Sequence, residues 1–183
     1  MKKLYKEDII DLLYGCAVLG TGGGGSLTEG LAMMKEDFEQ GRSLQLVSLD
    51  EIPDDAIVAS PYGCGAPSAS SNPEDRFQGL PRVKGSPAVL AFQSLEEFLG
   101  EKIFAVSSTE LGGMNTAEAL HVACLLHLPL ADGDPAGRSV PELIHSTFYL
   151  KGVPITPLAA ATNFGDIIIL KDVVDDFRAE SLV

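Results

Sequence analysis

Strand-like and helix-like segments alternate along this chain, and this alternation limits the folds it can adopt more than any other feature. Apolar residues recur at helical spacing over 6–18 and 87–99, whereas KIFAVSS at 102–108 has the length and composition of a buried strand. Strands that alternate with helices favour a mainly parallel sheet with helices on both faces. The sequence therefore predicts an α/β protein, a three-layer α/β/α sandwich.

Further short strands are expected at 44–49, 56–60 and 128–131. Beyond residue 153 the pattern changes, and NFGD at 163–166 is typical of a turn between two strands. We expect an α/β domain over residues 1–157. Residues 158–183 are predicted to form a short β-hairpin extension at the C-terminus.

The segment 60–86 is rich in Pro, Gly and Ser and has no hydrophobic periodicity. Structureless segments of this length are uncommon inside a compact domain and often carry function. We therefore expect either a functional loop or a surface insertion here.

The segment GTGGGGS at 20–26 holds five glycines in six residues and precedes a second helical stripe. Ser26 and Glu29 stand at the S-x-x-E spacing of a capping box, so the glycines lie against a helix N-terminus. Bare amides at a helix start can hold an anion or a carbonyl oxygen of a ligand. The alternative is close helix packing, because glycine lets another backbone approach.

The same run matches the G-x-G-x-x-G spacing of a dinucleotide-binding loop through Gly20, Gly22 and Gly25. That fingerprint requires a strand before the loop and an acidic residue after the second strand, where Asp50 would stand. The preceding segment has a helical pattern instead, and a Walker loop would need lysine where Ser26 stands. A nucleotide cofactor is therefore a minor alternative.

Acidic residues concentrate in the motif DGDPAGRSVPEL. Asp132 and Asp134 follow a predicted strand, and two carboxylates at this spacing can serve as a general base, as metal ligands or as hydrogen-bond acceptors. Arg138 can orient a ligand's carboxylate or ring carbonyl, or it can pair with Asp134. Ser139 and Glu142 repeat the S-x-x-E spacing, which predicts another helix start.

The motif ELGGMN begins with Glu110 directly after the predicted strand at 102–108. Gly112 and Gly113 again bare the backbone before a helix N-terminus. Asn115 is predicted to cap a helix that starts at the following residue, and the alternative is that it contacts a ligand.

The cysteines Cys16, Cys64 and Cys124 are far apart and form no CxxC pair, so neither a disulfide framework nor a zinc knuckle is indicated. Cys64 lies between two glycines just past a strand, where a nucleophile could stand, but no histidine is near it in sequence. We therefore favour the interpretation that Cys64 is a small free cysteine with no catalytic role. His121, Cys124 and His127 share a predicted helix without metal-site spacing, so we expect a core or half-exposed helix face and no metal ligands.

The chain is acidic, with 26 Asp and Glu against 13 Lys and Arg and a net charge of −13. That balance argues against nucleic acid and anionic membrane surfaces as partners. The hydrophobic fraction of 45% is typical of a globular protein. A charged N-terminus without a long apolar run argues against a signal peptide and a membrane span, so a cytoplasmic location is expected.

Four motifs, GTGGGG, GCGAP, ELGGMNTAEAL and DGDPAGRSVPEL, occur in this order and together resemble the N-terminal domain of the S-methyl-thiohydantoin desulfurase family. The last motif is similar to the family's D-x-D-x-x-G-R-x-x-P-E, and the resemblance covers nearly the whole chain. It implies a three-layer α/β domain that precedes a mostly β domain in full-length members, so residues 158–183 are expected to be either the start of that β-rich second domain, which is otherwise absent, or a C-terminal extension. It also implies hydrolytic removal of the methylthio group from a hydantoin-like ring, which leaves a hydantoin.

From this resemblance we expect a hydrolase-like domain that acts on a hydantoin-type or thiohydantoin-type heterocycle. The carboxylates expected in catalysis are Asp134, Asp132 and Glu110. The substrate-binding residues are expected in all four motifs, namely Thr21, Gly22, Gly23, Gly24, Gly25, Cys64, Gly112, Gly113, Asn115 and Arg138.

Two other functions stay open. In the first, the domain is a non-catalytic module that binds a ligand or docks on a hydantoinase-type partner. In the second, it is an enzyme that uses a nucleotide cofactor. Apart from that second alternative, the sequence does not indicate a particular cofactor. The expected partners are a small heterocyclic ligand and, for assembly, a second copy of the chain or a hydantoinase-type protein.

Overall fold

The structure, a computed structural model, describes residues 1–64, 77 and 79–183, so part of the predicted loop at 60–86 lies outside the described residues. The helices within these residues are α1 (Lys6–Gly20), α2 (Leu27–Glu39), α3 (Pro87–Leu99), α4 (Gly113–Leu126), α5 (Thr147–Leu150) and α6 (Asp176–Leu182). The strands are β1 (Lys2–Leu4), β2 (Leu44–Val47), β3 (Ile57–Ala59), β4 (Ile103–Val106), β5 (Leu130–Ala131), β6 (Leu158–Ala161) and β7 (Ile167–Leu170). A 3₁₀ turn at Leu49–Glu51 follows β2.

Within the described residues, one sheet of five strands has the order β1-β2-β5-β4-β3. The strands β2, β5, β4 and β3 run parallel, whereas β1 pairs antiparallel with β2. Because parallel strands end at the same edge, the loops that follow β2, β3, β4 and β5 emerge side by side. The predicted α/β class with a mainly parallel sheet is confirmed, and β1 is an edge strand that the sequence did not predict.

Helix α4 lies at the centre of the domain. It contacts β2, β4 and β5 as well as α1, α2 and α3, and its residues Leu120, Val122 and Cys124 are fully buried. Its neighbours cover the apolar residues of this helix, while Asn115, Glu118 and His121 are only partly buried. The larger core cluster accordingly joins α4 to sheet residues such as Leu44 and Val106. A smaller cluster contains Val47, Ala105 and Ala131, with Ile52 and Phe104 packed against it.

The helix starts show which capping predictions were right. Ser26 caps α2, because its hydroxyl accepts the backbone N–H of Glu29 at 3.3 Å. The prediction of Asn115 as a cap is wrong, since α4 begins after Gly112. The prediction of a helix start at Ser139 is also wrong, because residues 139–146 form bends and turns before the short α5.

The C-terminal residues pack on the rest of the chain. β6 and β7 form the predicted antiparallel hairpin, and both contact α3. In α6, Ala179 is fully buried, and Asp176 accepts the backbone N–H of Ile155 at 3.2 Å. The boundary placed between residues 157 and 158 stays a prediction.

Among the helices of the described residues, none has both the length and the apolar character that crossing a bilayer requires.

Candidate functional site

The glycine run connects α1 to α2 and packs against the N-terminus of α4. The Gly24 carbonyl accepts the backbone N–H groups of Met114 and Asn115 at 2.9 and 3.0 Å. A Cβ on Gly24 would lie 2.6 Å from the Gly112 Cα, and one on Gly113 would collide with the backbone of Leu27. Close backbone packing therefore explains these glycines, and the first amides of α4 are already used by the protein itself.

The remaining glycines of the run fall into two kinds. Gly23 donates its N–H to Gly20 O at 2.8 Å, and a Cβ on it would collide with the side chain of Ser139. Gly22 faces open space but has a φ of +98°, which favours glycine. Within the described residues, the amides of Gly22, Gly24 and Gly25 have no backbone acceptor and are free to face a ligand.

The surroundings of the run do not match those of a dinucleotide-binding loop. α1 precedes the run, where the fingerprint requires a strand. Thr21, at the C-terminus of α1, is exposed, has a φ of +49° and donates its N–H to Val18 O. The strand–loop–helix arrangement that would hold a pyrophosphate is therefore not present at this position.

Asp134 is held by its own loop through one oxygen only. Its Oδ1 accepts the N–H groups of Ala136 at 2.8 Å and Gly137 at 2.6 Å, and Gly137 has the positive φ that this turn needs. Its Oδ2 is buried and has no hydrogen-bond partner within the described residues. A buried acceptor without a partner is costly and rare in folded proteins, which sets Oδ2 of Asp134 apart from the other side-chain oxygens of the described residues.

The other polar residues of this loop point outward. Asp132 is exposed, and its N–H extends the sheet by donating to Val47 O at 2.8 Å. Arg138 is exposed as well, and its Nε donates to Ser139 O at 3.2 Å. The loop thus presents one carboxylate, that of Asp134, to the interior.

Glu110 lies after β4 and is one of the few non-glycine residues of the described chain with a positive φ, at +55°. Burial raises the pKa of its carboxyl, and the negative charges of Asp134 and Glu180 raise it further. A hydrogen bond from the Val140 backbone partly offsets this rise. Glu110 therefore keeps its proton to higher pH than an ordinary glutamic acid.

Tyr62 and Cys64 lie on the neighbouring loop, which follows β3. The Cys64 side chain is exposed, yet the protein atoms that shield its thiol from water raise the pKa of that thiol, and the charges of Glu110 and Glu180 add to this. The pKa of the Tyr62 hydroxyl is raised by burial and by negative charges nearby. Because the nucleophile is the thiolate and not the thiol, Cys64 is poorly suited to nucleophilic attack at neutral pH.

Two contributors were not singled out as site residues from the sequence. Glu180 on α6 accepts the backbone N–H of Leu143 at 3.5 Å, and its charge acts on Glu110. Cys16 on α1 is buried, and burial raises the pKa of its thiol; Thr116 partly offsets this rise, and the negative charge of Asp134 adds to it. No local pattern identifies Glu180, because only the folding of the chain brings α6 to this loop.

Asn115 contacts the loop after β3 instead of capping its helix. Its Oδ1 accepts the N–H of Gly63 at 3.3 Å. This bond ties the start of α4 to the loop that carries Tyr62 and Cys64. The structure therefore brings Asn115, Glu110, Asp134 and Cys64 to one edge of the sheet, as the alternation of strands and helices predicted.

A second buried carboxylate lies between α2 and α4. Asp37 is fully buried, and its oxygens pair with Arg42 at 2.5 Å and with His121 Nδ1 at 2.8 Å. The helix face that carries His121 is half-buried here, as expected, while Cys124 is buried and His127 is exposed. Across the described residues, no three His, Cys, Asp or Glu side chains are grouped so that they could hold a metal ion.

Known proteins give two points of comparison. The sequence profile of a family described as "S-Me-THD-like, N-terminal domain" matches residues 7–172. An X-ray structure of a protein from Chromobacterium violaceum is similar with a TM-score of 0.75 and 29% sequence identity, covering 96% of this chain and 46% of that one. This chain therefore spans less than half the length of that relative. No functionally curated protein matches significantly.

Proposed function

The chain belongs to the S-Me-THD-like N-terminal domain family, and from this premise we propose that it is a hydrolase-like domain for a hydantoin-type or thiohydantoin-type heterocycle. The site lies at the carboxyl edge of the parallel sheet, between Asp134 and Glu110. Such an edge is where ligands bind in open α/β folds. The match covers only 46% of the similar solved chain. That this chain shares the activity of a full-length relative is therefore part of the proposal as well.

One observation supports this site above all others, namely the unpartnered Oδ2 of Asp134. Two backbone amides fix the orientation of the carboxylate through Oδ1, so Oδ2 is held in a single direction. A water molecule or a ring N–H placed there would satisfy the buried acceptor. A fixed carboxylate beside a water molecule is the arrangement that a general base requires.

The proposed reaction is hydrolysis of the ring carbon that bears the methylthio group. Asp134 Oδ2 takes a proton from water while the water oxygen forms a bond to that carbon, which gives a tetrahedral intermediate. The C–S bond then breaks, the sulfur leaves with the bonding electrons, and it is protonated to methanethiol while the ring keeps the new carbonyl oxygen. As water adds, the electrons of the C=N bond move to the ring nitrogen, which takes the proton that Asp134 received. The hydroxyl proton of the intermediate passes to the acid that protonates sulfur, so one water is consumed and both carboxyl groups are restored.

Two further groups are assigned roles in this proposal. Glu110 protonates the leaving sulfur, because its raised pKa lets it keep a proton to higher pH than an ordinary glutamic acid. The free amides of Gly22, Gly24 and Gly25 donate to ring oxygen or nitrogen atoms where negative charge develops. Asp132 is not given a catalytic role, because its side chain is exposed.

The test is to incubate the purified chain with an S-methyl-thiohydantoin and to follow methanethiol and hydantoin by proton NMR. We expect turnover to fall by roughly 100-fold or more in Asp134→Asn, as is typical for loss of a general base. Asp132→Asn is the matched control, because it makes the same chemical change on an exposed residue of the same loop. Equal turnover in both variants would remove Asp134 from the mechanism.

Binding without turnover would instead favour the non-catalytic ligand-binding module. Ligand-induced stabilisation distinguishes these cases, because a ligand that binds only the folded state raises the unfolding midpoint. If hydantoins raise the midpoint of this chain and no product forms, the catalytic role is wrong and the binding role stands. If they do neither, the proposed ligand class is wrong.

A further inference from the structure

A cleft of about 420 Å³ opens between α2, α4 and the start of α3, and this volume is typical of small-molecule sites. On α2, Met33 and Glu36 line it and share a helix face, because they lie three residues apart. On α4, His121 and Leu125 lie four residues apart and share a face in the same way. Among the described residues, no member of the proposed hydantoin site lines this cleft.

The buried carboxylate of Asp37 fixes two of the side chains that line the cleft. Its Oδ1 pairs with Arg42 Nη1 at 2.5 Å, and its Oδ2 pairs with His121 Nδ1 at 2.8 Å. Because a carboxylate only accepts hydrogen bonds, the proton of a neutral His121 ring lies on Nδ1, and Nε2 is left as an acceptor. Asp37 thus holds a guanidinium and an imidazole beside each other in the cleft.

Arg42 and His121 keep hydrogen-bonding groups that the fold does not use. A guanidinium carries several N–H donors, and within the described residues the Arg42 side chain makes one hydrogen bond, to Asp37. His121 Nε2 has no hydrogen-bond partner within the same residues. The two side chains are 24% and 18% exposed, so a ligand can reach them. The planar fork of an arginine suits a carboxylate, which accepts parallel N–H bonds from it.

The other charged groups that line the cleft are acidic. Glu118 precedes His121 by three residues on the same face of α4. The Ser86 hydroxyl donates to Glu118 Oε1 at 3.2 Å, and Glu118 Oε2 has no hydrogen-bond partner within the described residues. Glu36 lines the cleft from α2. Acceptors for a positively charged group therefore lie in the same cleft as the donors of Arg42.

The balance of these charges decides which ligand fits. Asp37 already offsets the charge of Arg42, so Glu36 and Glu118 leave the cleft negative overall. A simple anion finds N–H donors here but meets two like charges. A ligand with an ammonium group beside its carboxylate instead finds a partner of opposite charge for each group.

We propose that this cleft is a second ligand site and that it takes a zwitterionic amino acid with an apolar side chain. Arg42 donates N–H groups to the carboxylate of the ligand. The ammonium group of the ligand donates to Glu118 and to His121 Nε2. The apolar side chain of the ligand packs on Met33 and Leu125, which line the same cleft. This site goes beyond the proposed hydantoin hydrolysis, and neither proposal rests on the other.

The test is calorimetric titration of the full chain at neutral pH with leucine and three analogues. Isocaproic acid has the shape of leucine without the ammonium group, and leucinamide lacks the carboxylate charge. We expect each to bind at least roughly tenfold more weakly than leucine, because one charged group of the cleft then loses its partner. Glycine keeps both charges but lacks the apolar side chain, and the lost burial should weaken its binding by at least roughly tenfold as well.

Two variants test the residues that bind each charge. Glu118→Gln keeps an acceptor for the Ser86 hydroxyl but loses the charge, so we expect leucine to bind at least roughly tenfold more weakly. Arg42→Lys keeps a cation beside Asp37 but loses the planar fork, and a loss of affinity is expected here too. Glu97→Gln, exposed on α3, is the matched control and should leave the dissociation constant unchanged. If Arg42→Lys fails to fold, leucinamide tests the carboxylate contact in the wild type.

The outcomes separate this cleft from the proposed site at the sheet edge. Asp134→Asn should leave leucine binding unchanged, and Glu118→Gln should leave hydantoin binding unchanged. Leucine binding that is lost in Asp134→Asn and kept in Glu118→Gln overturns the assignment to this cleft. Equal binding of leucine and either singly charged analogue overturns the zwitterionic ligand class. Failure of leucine to bind overturns the site itself, and in each of these cases the proposed function is judged by its own assay.

Discussion

Asp37 and Asp134 are both aspartates with buried oxygens, and the difference between them separates support of the fold from the proposed function. Asp37 lies between α2 and α4 with one oxygen paired to Arg42 and the other to His121. Asp134 lies at the edge of the sheet with one oxygen bonded to two backbone amides and the other without a partner. Burial alone therefore does not separate the two carboxylates, whereas the pairing of their oxygens does, and on that ground we propose Asp134 as the functional one.

The same contrast applies to the glycines. Those of the motifs GTGGGG and ELGGMN that pack against each other, such as Gly24 and Gly112, let two backbones approach. Gly22 in the same run faces open space. A glycine-rich motif thus serves packing at some positions and leaves amides free at others, and the sequence does not distinguish them.

The largest effect is expected from Asp37→Ala. Removing this carboxylate leaves Arg42 and His121 without their buried partner, and breaking a buried ion pair in this way typically costs about 3–5 kcal/mol. Urea unfolding measures the loss in the free energy of unfolding. Asp11→Ala, on the exposed face of α1, is the control and should change it by less than about 0.5 kcal/mol. A loss below 1 kcal/mol for Asp37→Ala would contradict the structural role, on the scale of such surface effects.

The next largest effect is expected where α2 meets α4. Gly113→Ala places a methyl group against the backbone of Leu27, and overpacking of this kind typically costs roughly 1–3 kcal/mol. Gly15→Ala is the opposite case, because nothing lies within 4 Å of that position and it sits inside α1. It should stabilise by roughly 0.5–1 kcal/mol, since glycine disfavours helix interiors. Thermal unfolding of both variants checks the sign of each change.

Asp134→Asn sharpens the comparison with Asp37, because it should weaken ligand binding while leaving stability nearly unchanged. Asparagine keeps an oxygen for the amides of Ala136 and Gly137, so the free energy of unfolding should change by no more than about 1 kcal/mol. Binding of hydantoin, by contrast, should weaken by at least roughly tenfold, since the amide NH₂ would face a ring N–H. A variant that loses stability as Asp37→Ala does would make Asp134 a structural residue.

The smallest effect concerns pH. The pKa of Glu110 is raised in the folded state above its ordinary value of 4.5, so folding binds its proton more tightly. This contribution to stability is complete below pH 4.5 and is lost as pH rises through the raised pKa. Glu110→Gln should remove that part of the pH dependence. It should also raise the free energy of unfolding at neutral pH by up to about 1 kcal/mol. Chemical unfolding measured from acid to neutral pH gives the free energy of unfolding at each pH. The decrease with rising pH that the wild type shows above pH 4.5 should be absent in the variant.

Local patterns were sufficient to predict most of the fold. α1, α2 and α3 follow from apolar spacing, and the positions of β4 and of the β6–β7 hairpin follow from short apolar runs beside turn residues. The start of α4 could not be predicted in this way. The Gly24 carbonyl from a distant segment accepts the amides of Met114 and Asn115, so α4 begins earlier than its own sequence signal.

The candidate site was predictable only in part. The carboxyl edge of the sheet collects Glu110, Asp134 and Cys64 because parallel strands end together, which the alternation of strands and helices already implied. Which of Asp132 and Asp134 faces inward depends on the turn at Gly137, and Glu180 arrives only when α6 folds onto the loop at Leu143. Local patterns in a single sequence do not predict tertiary contacts of this kind.

The most direct test of the central claim is a crystal structure of this chain soaked with isobutylhydantoin. We predict that the ring lies at the carboxyl edge of the sheet with a ring N–H within hydrogen-bond distance of Asp134 Oδ2 and with Asp37 still paired to Arg42 and His121. A ligand bound elsewhere, or Oδ2 paired to another protein group while the site stays empty, would contradict the assignment of Asp134 as the functional carboxylate.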